Sequence, residues 1–198
     1  MAYSDYTSLQ KLTVELGITH KRQNLFHVIN PINPSQKLMD DISEAQAYYS
    51  LITEKAKSEF LITPILKEVK RTHVDNISVF SGVMLETHRN GLNGFCDFIL
   101  TAIADSVEMC APICCVVEAK NRSIEEGFAQ CAAEMFAALL FNQQSEIKTD
   151  LMFGCVTNGY EWHFLKLIEG CVLIDTQRFF LNDLAAILGI FQLIISQS

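Results

Sequence analysis

Two short apolar runs, each carrying an acidic residue, constrain this chain more than any other feature. Phe95-Cys96-Asp97-Phe98-Ile99-Leu100 holds a carboxylate inside it, and Ile113-Cys114-Cys115-Val116-Val117 runs directly into Glu118-Ala119-Lys120. Aromatic and β-branched residues dominate both, so both read as strands. Side chains alternate along a strand, which puts Glu118 and Lys120 on one face and Ala119 on the other. With the two runs as neighbours, Asp97 faces them, and two carboxylates and an ammonium converge at the end of a hydrophobic sheet. Such charges are seldom buried unless paired or bound to metal. Facing carboxylates also raise each other's pKa unless a divalent cation lies between them. Hard oxygen donors suit Mg2+ or Mn2+, and a nearby lysine can orient a water or stabilise charge on a phosphate. The chemistry this set points to is metal-dependent phosphodiester hydrolysis.

Asp97, followed on the next strand by Glu118-Ala119-Lys120, resembles the core of the PD-(D/E)XK nucleases, the restriction-endonuclease-like superfamily. Gly94-Phe95-Cys96-Asp97 is similar to the Gly-X-X-Asp form frequent in that family, with Cys96 where the family name has proline. Gln130, in Gly127-Phe128-Ala129-Gln130, resembles the helix glutamine of its exonuclease-like branch. Thr53 to Leu66 resembles the start of the nuclease domains in restriction-enzyme motor subunits, where a glutamate precedes an Ile-X-Pro-X-Leu segment. Thr157-Asn158-Gly159-Tyr160-Glu161-Trp162 is similar to a Thr-Asn-Gly-X-X-Trp segment of the same domains. The resemblance implies that Asp97, Glu118 and the Ala119 carbonyl hold Mg2+ or Mn2+, with Glu54 assisting and Glu59 in reserve. It also implies that Lys120 positions the attacking water and that Gln130 orients its neighbours. Without the resemblance, Glu54 is an ordinary carboxylate on a helix surface and Gln130 a buried amide satisfied by backbone.

A chain of 198 residues, 49% hydrophobic, can bury a full core in one compact domain. Its formal net charge of -8 gives no general basic footprint for nucleic acid, so any contact with DNA needs a local groove or a bound cation. Seven cysteines, an odd number without framework spacing, point to a reducing compartment. Cys110-x3-Cys114-Cys115 has no second ligand pair for zinc and reads as core packing. The N-terminus shows no signal pattern, and a cytoplasmic location is expected.

Along the chain, Ser8 to Leu16 reads as an amphipathic helix stopped by Gly17, and His20-Lys21-Arg22 as a basic, solvated loop. The breaker Asn30-Pro31-Ile32-Asn33-Pro34-Ser35 sets an N-terminal arm, 1–35, apart from a nuclease-like domain, 36–198. From Asp40 to about Val69 apolar residues recur at helical spacing, with Pro64 expected to kink or divide the helix. Lys67, Lys70, Arg71 and His73 complement that helix's C-terminal dipole or, if they flank the site, touch phosphates. Val79 to Glu86 reads as a strand, His88 to Gly94 as a hairpin connection, and Asp105 to Pro112 as a loop. Ser123 and Glu126 form a capping-box pattern opening a helix that is apolar almost all round. Met152 to Thr157, Glu161 to Ile168 and Cys171 to Thr176 read as strands, with Tyr160 and Trp162 either stacking on bases or packing in a hairpin. Leu181 to Ile195 is an apolar helix too short to cross a bilayer, one that covers the core or forms a dimer interface.

The expected architecture is α/β: a restriction-endonuclease-like core with a central mixed β-sheet flanked by helices. The expected function is Mg2+- or Mn2+-dependent hydrolysis of nucleic acid, foremost as a DNA endonuclease. Its expected partners are DNA, a separate specificity or motor subunit and a second copy of the chain, with no membrane. The alternative is a catalytically silent binding or partner subunit, and a third reading makes the charges an ion-pair network in an unrelated α/β fold.

Overall fold

The structure, a computed structural model, describes residues 2–88 and 92–197. Part of the expected hairpin connection, 89–91, lies outside the described residues. In chain order the elements are a 3-10 turn (Tyr3–Asp5), α1 (Leu9–Leu16), β1 (Thr19–Gln23), α2 (Gln36–Tyr48), α3 (Glu54–Lys57), a π-helical turn (Ser58–Ile62) and α4 (Thr63–Thr72). Then follow β2 (Ser78–Glu86), β3 (Asn93–Thr101), β4 (Ile113–Ala119), α5 (Gly127–Gln144), β5 (Leu151–Thr157), β6 (Glu161–Ile168), β7 (Cys171–Asp175), β8 (Phe179–Phe180) and α6 (Leu184–Ser196).

The strands form one mixed sheet in the order β1-β7-β6-β5-β4-β3-β2, with β8 added to β6. The β1/β7 and β4/β5 pairs are parallel and the others antiparallel. Helices cover both faces. On one, α2, α4 and α6 contribute Leu38, Ile65, Ile187 and Phe191 to a core that includes Phe98, Val117, Ala119 and Trp162. On the other, α1 and α5 pack Leu12, Ala132 and Met135 against Ile99, Val116 and Val156. Burial on both sides explains why β4 is apolar from Ile113 to Val117: a strand with no solvent face needs no alternation. The α/β class and the central mixed sheet agree with the sequence expectation.

Several local expectations need correction. The segment from Asp40 to Val69 is divided, but not at Pro64. The break falls at Tyr49, which is extended, and a new helix starts where Thr53 Oγ1 accepts from Ala56 N at 3.1 Å. Pro64 lies in the first turn of α4, immediately after the π-helical turn. A proline ring clashes with the carbonyl four residues back, and the wider π turn relieves the crowding there. His20-Lys21-Arg22 is not a loop but the middle of edge strand β1, in register with Val172, Leu173 and Ile174. All five residues of β1 are exposed, so it pairs through its backbone and leaves no alternating pattern to read. The described residues of the 1–35 segment thus include one strand of the sheet, together with the buried Tyr3, Tyr6, Leu12 and Ile18.

The Ser123/Glu126 capping box is absent. Ser123 Oγ donates to Glu125 Oε2 at 3.3 Å, and Gly127 N donates to Ile124 O at 2.9 Å, so a separate turn precedes α5. Buried Ile124 draws that turn into the core. Two glycines then let α5 lie close to the sheet. A Cβ on Gly127 would stand 2.5 Å from Val156 Cγ1, and one on Gly154 would stand 2.5 Å from Met135 Sδ and 2.8 Å from Cys131 Sγ. Gly154→Ala therefore lifts α5 off β5. We expect a cost of about 1–3 kcal/mol, read as a lower urea midpoint and a lower Tm; unchanged stability would show that the helix can move away freely.

Candidate active site

The β3/β4 register sets Phe98 opposite Val117 and Ile99 opposite Val116, and its next step brings Asp97 and Glu118 to the same level. Asp97 Oδ2 accepts a hydrogen bond from Ala119 N at 2.7 Å, tying the carboxylate to the end of β4. Alternation along β4 then separates its last residues. Ala119 joins the α4/α6 core, while Glu118 follows Val116 to the α5 face. Glu118 is 2% exposed. Lys120 Nζ donates to Glu118 Oε1 and, at 3.0 Å, to Gln130 Oε1 on the first turn of α5. Asp97, Glu118, Ala119, Lys120 and Gln130, singled out in the sequence from three separate segments, therefore meet in one place.

Glu54 opens α3 beside this end of the sheet. Its charge acts on Lys120, and from the same short helix Lys57 Nζ donates to Asn121 O and, at 3.2 Å, to Asn121 Oδ1. Glu59 is not part of the site: it is exposed and pairs with Lys55 at 3.8 Å. Of the two glutamates weighed from the sequence, Glu54 is the one near Lys120.

Glu134 is a site residue that sequence reasoning missed. It is fully buried, and its Oε1 accepts from Gln130 Nε2 at 3.1 Å. The signal was present, since Glu134 is the only charged residue between Gly127 and Gln144. An almost uniformly apolar helix made it look incidental. Glu118 Oε2 and Glu134 Oε2 are both buried without a hydrogen-bond donor among the described residues.

The electrostatics follow from burial among like charges. Desolvation first, and then Asp97, push the Glu118 carboxyl up to about 7 against the opposing pull of Lys120. Burial, Glu118's charge and a hydrogen bond to Glu118 hold the Glu134 carboxyl well above its ordinary range. That hydrogen bond needs a proton between the two side chains, which the two donorless oxygens can share. Burial opposes the Lys120 ammonium, but the charge and hydrogen bond of Glu118, with Glu54 and Asp97 behind them, raise its pKa above the ordinary lysine value. Burial and the same carboxylates push up the Cys96 thiol.

The other candidates lie elsewhere. Trp162 is fully buried, edge-on to Phe191, with Nε1 donating to Gly159 O at 3.3 Å, so it packs in the core and cannot stack on a base. Lys70 Nζ donates to Val74 O at 2.8 Å and Ile77 O at 2.7 Å, Arg71 pairs with buried Glu68, and His73 is held between Val69 O and Gln192. These residues finish α4 and do not flank the acidic site. A cavity of about 470 Å³ between α2, α4 and β2 lies on the opposite face of the sheet from Glu118. All seven cysteines are free thiols. Among the described residues no helix is long and apolar enough to cross a membrane.

Among the described residues no three His, Cys, Asp or Glu side chains are grouped closely enough to hold a metal by themselves. The donor set still fits a hard cation. Mg2+ typically takes only one or two protein carboxylates and completes its shell with water and phosphate oxygens. The second oxygen of Asp97 and, once the proton shared with Glu134 has left, Glu118 Oε2 would supply that number. The chain matches no protein-family model and no curated protein sequence.

The raised carboxyls set a pH dependence of stability. Each contributes stability that is fully present below the unfolded glutamate value near 4.5 and is lost as pH rises, for Glu118 through about 7. Glu134→Gln, which mimics the protonated acid, removes part of this loss. Between pH 5 and pH 8 its free energy of unfolding should fall less steeply than that of the wild type, where each raised group costs up to about 1.4 kcal/mol per pH unit. Parallel urea-derived profiles for the two proteins would refute the assignment.

Proposed function

We propose that the chain is a Mg2+- or Mn2+-dependent phosphodiesterase of the PD-(D/E)XK type that cleaves nucleic acid, foremost DNA as an endonuclease. One observation carries this reading: Asp97, Glu118, Lys120 and Gln130 stand together at the ends of β3 and β4 and the start of α5. As a purely structural arrangement it is costly, because it buries carboxylates that raise each other's pKa. A site that accepts a divalent cation and a phosphate gives that cost a purpose.

Asp97 and Glu118, with the Ala119 carbonyl, would hold the cation, and Glu54 would assist from α3. When bound, the cation polarises the phosphate and neutralises charge on its oxygens. The remaining work belongs to the chain. Lys120, held by Glu118 and Gln130, presents an ammonium that orients the attacking water and stabilises the negative charge of the five-coordinate phosphorus. Gln130 keeps the ammonium from collapsing wholly onto Glu118. Asp97, fixed by Ala119 N, keeps one oxygen directed to the site without rearrangement. The net charge of -8 makes the cation, or a basic partner subunit, part of how such a site meets a polyanion.

The test is cleavage of plasmid and linear DNA with Mg2+ or Mn2+ by the wild type, Asp97→Ala and Lys120→Ala. Both variants should fold, as judged by circular dichroism and melting, and should lose cleavage by on the order of 10²–10³-fold or more. Retained cleavage in either would remove these residues from the chemistry. A folded wild type that binds Mg2+ yet cleaves neither DNA nor RNA would turn the reading to a binding subunit.

A further inference from the structure

Glu134 stands four residues after Gln130, so the two side chains project from the same face of α5. It is fully buried in a helix with no other charge, and among the described residues no lysine, arginine or histidine forms an ion pair with it. Alanine or leucine, both frequent in this helix, would be far cheaper to bury. Helix packing therefore does not account for a carboxyl at this position, and its hydrogen bond to Gln130 does.

A glutamine amide has two ends of nearly equal size, one accepting and one donating, and a half-turn exchanges them. A lysine ammonium has donors only, so the end facing Lys120 must be the oxygen. At the other end Glu134 Oε1 accepts from Gln130 Nε2 at 3.1 Å, which it can do as carboxylate or as acid. The two contacts select the same orientation of the amide. Without Glu134, Nε2 loses its acceptor and only the Lys120 contact is left to oppose the half-turn that would set the amide NH2 against the ammonium. Lys120 would then keep Glu118 and lose Gln130.

We infer that Glu134 is a positioning residue: by accepting from Gln130 Nε2 it fixes the amide so that Gln130 Oε1 holds the Lys120 ammonium beside Glu118. It reaches the ammonium through Gln130, beside the proton that it can share with Glu118. Its consequence for turnover rests on the phosphodiesterase reading above, whereas the hydrogen-bond relay does not.

The experiment compares full-length wild type, Glu134→Leu, Glu134→Gln, Gln130→Leu and the Glu134→Leu/Gln130→Leu double variant, each checked by melting for an intact fold. Two readouts are used: kcat for DNA cleavage with Mg2+, and the Lys120 side-chain 15Nζ resonance, assigned by its loss in Lys120→Ala. Glu134→Leu and Gln130→Leu should each lower kcat by about 10–100-fold, with the double variant no worse than either single one. Glu134→Gln retains an oxygen that accepts from Gln130 and should restore most of the lost kcat. The Lys120 resonance should move together in Glu134→Leu and Gln130→Leu and stay near its wild-type position in Glu134→Gln. Additive losses in the double variant, or a Lys120 signal unmoved by Glu134→Leu, would overturn the proposal. A wild type without cleavage would defeat the phosphodiesterase reading alone, and the resonance would still decide the relay. Should Glu134→Leu not fold, solvent exchange of the Gln130 side-chain amide protons in the wild type decides: slow exchange supports the relay and rapid exchange overturns it.

Discussion

The burial of Glu118 is the constraint to which the rest of this architecture answers. A carboxylate at 2% exposure, one residue from the end of a fully buried strand, has lost its water and has Asp97 across from it. Three compensations are visible. Lys120, two residues on and therefore on the same face, supplies a counter-charge. Asp97 is tied back to the strand end through Ala119 N. Glu134 can share a proton with Glu118. None of these removes the cost, because Glu118 remains harder to ionise than a free carboxyl.

The helix that closes the site is built to come near. Gly127 and Gly154 allow α5 to approach β4 and β5 more closely than a Cβ permits, and Ala129, Ala132, Ala133 and Ala137 fill the space with little bulk. That approach is what brings Gln130 within 3.0 Å of Lys120. The apolar, small-residue character of α5, which looks like simple core packing, is thus a condition of the polar contacts at its first turns. On the other face, the π-helical turn before Pro64 lets α3 and α4 run on as one rod. Its upper end carries Glu54 and Lys57 to the site, while Ile65, Leu66 and Val69 stay in the core.

How far the sequence disclosed this depended on how each element is stabilised. β3, β4, β5, β6 and β7 were legible because runs of aromatic and β-branched residues between Asn-Gly or Glu-Gly turns have few other solutions. The grouping of Asp97, Glu118 and Lys120 followed from the two-residue period of a strand and from one correct guess of adjacency. β1 was illegible because an exposed edge strand is defined by backbone pairing with a partner some 150 residues away, and Thr-His-Lys-Arg-Gln carries no trace of that partner. The capping box misled because Ser123 and Glu126 have the right identities at the right spacing, yet Ile124 and the close seat of Gly127 hold the turn elsewhere. Glu134 was overlooked because a helix apolar on every side offers no face on which a carboxylate stands out.

Edge strand β1 also limits how copies of the chain can meet. Its outer row of peptide groups is free to pair, and exposed edges of that kind tend to propagate a sheet from one molecule to the next. Here the row is lined by His20, Lys21 and Arg22, all exposed. Two copies aligned along this border would bring the Lys21 and Arg22 charges of one against those of the other. The border is therefore guarded against open-ended stacking by its own charges.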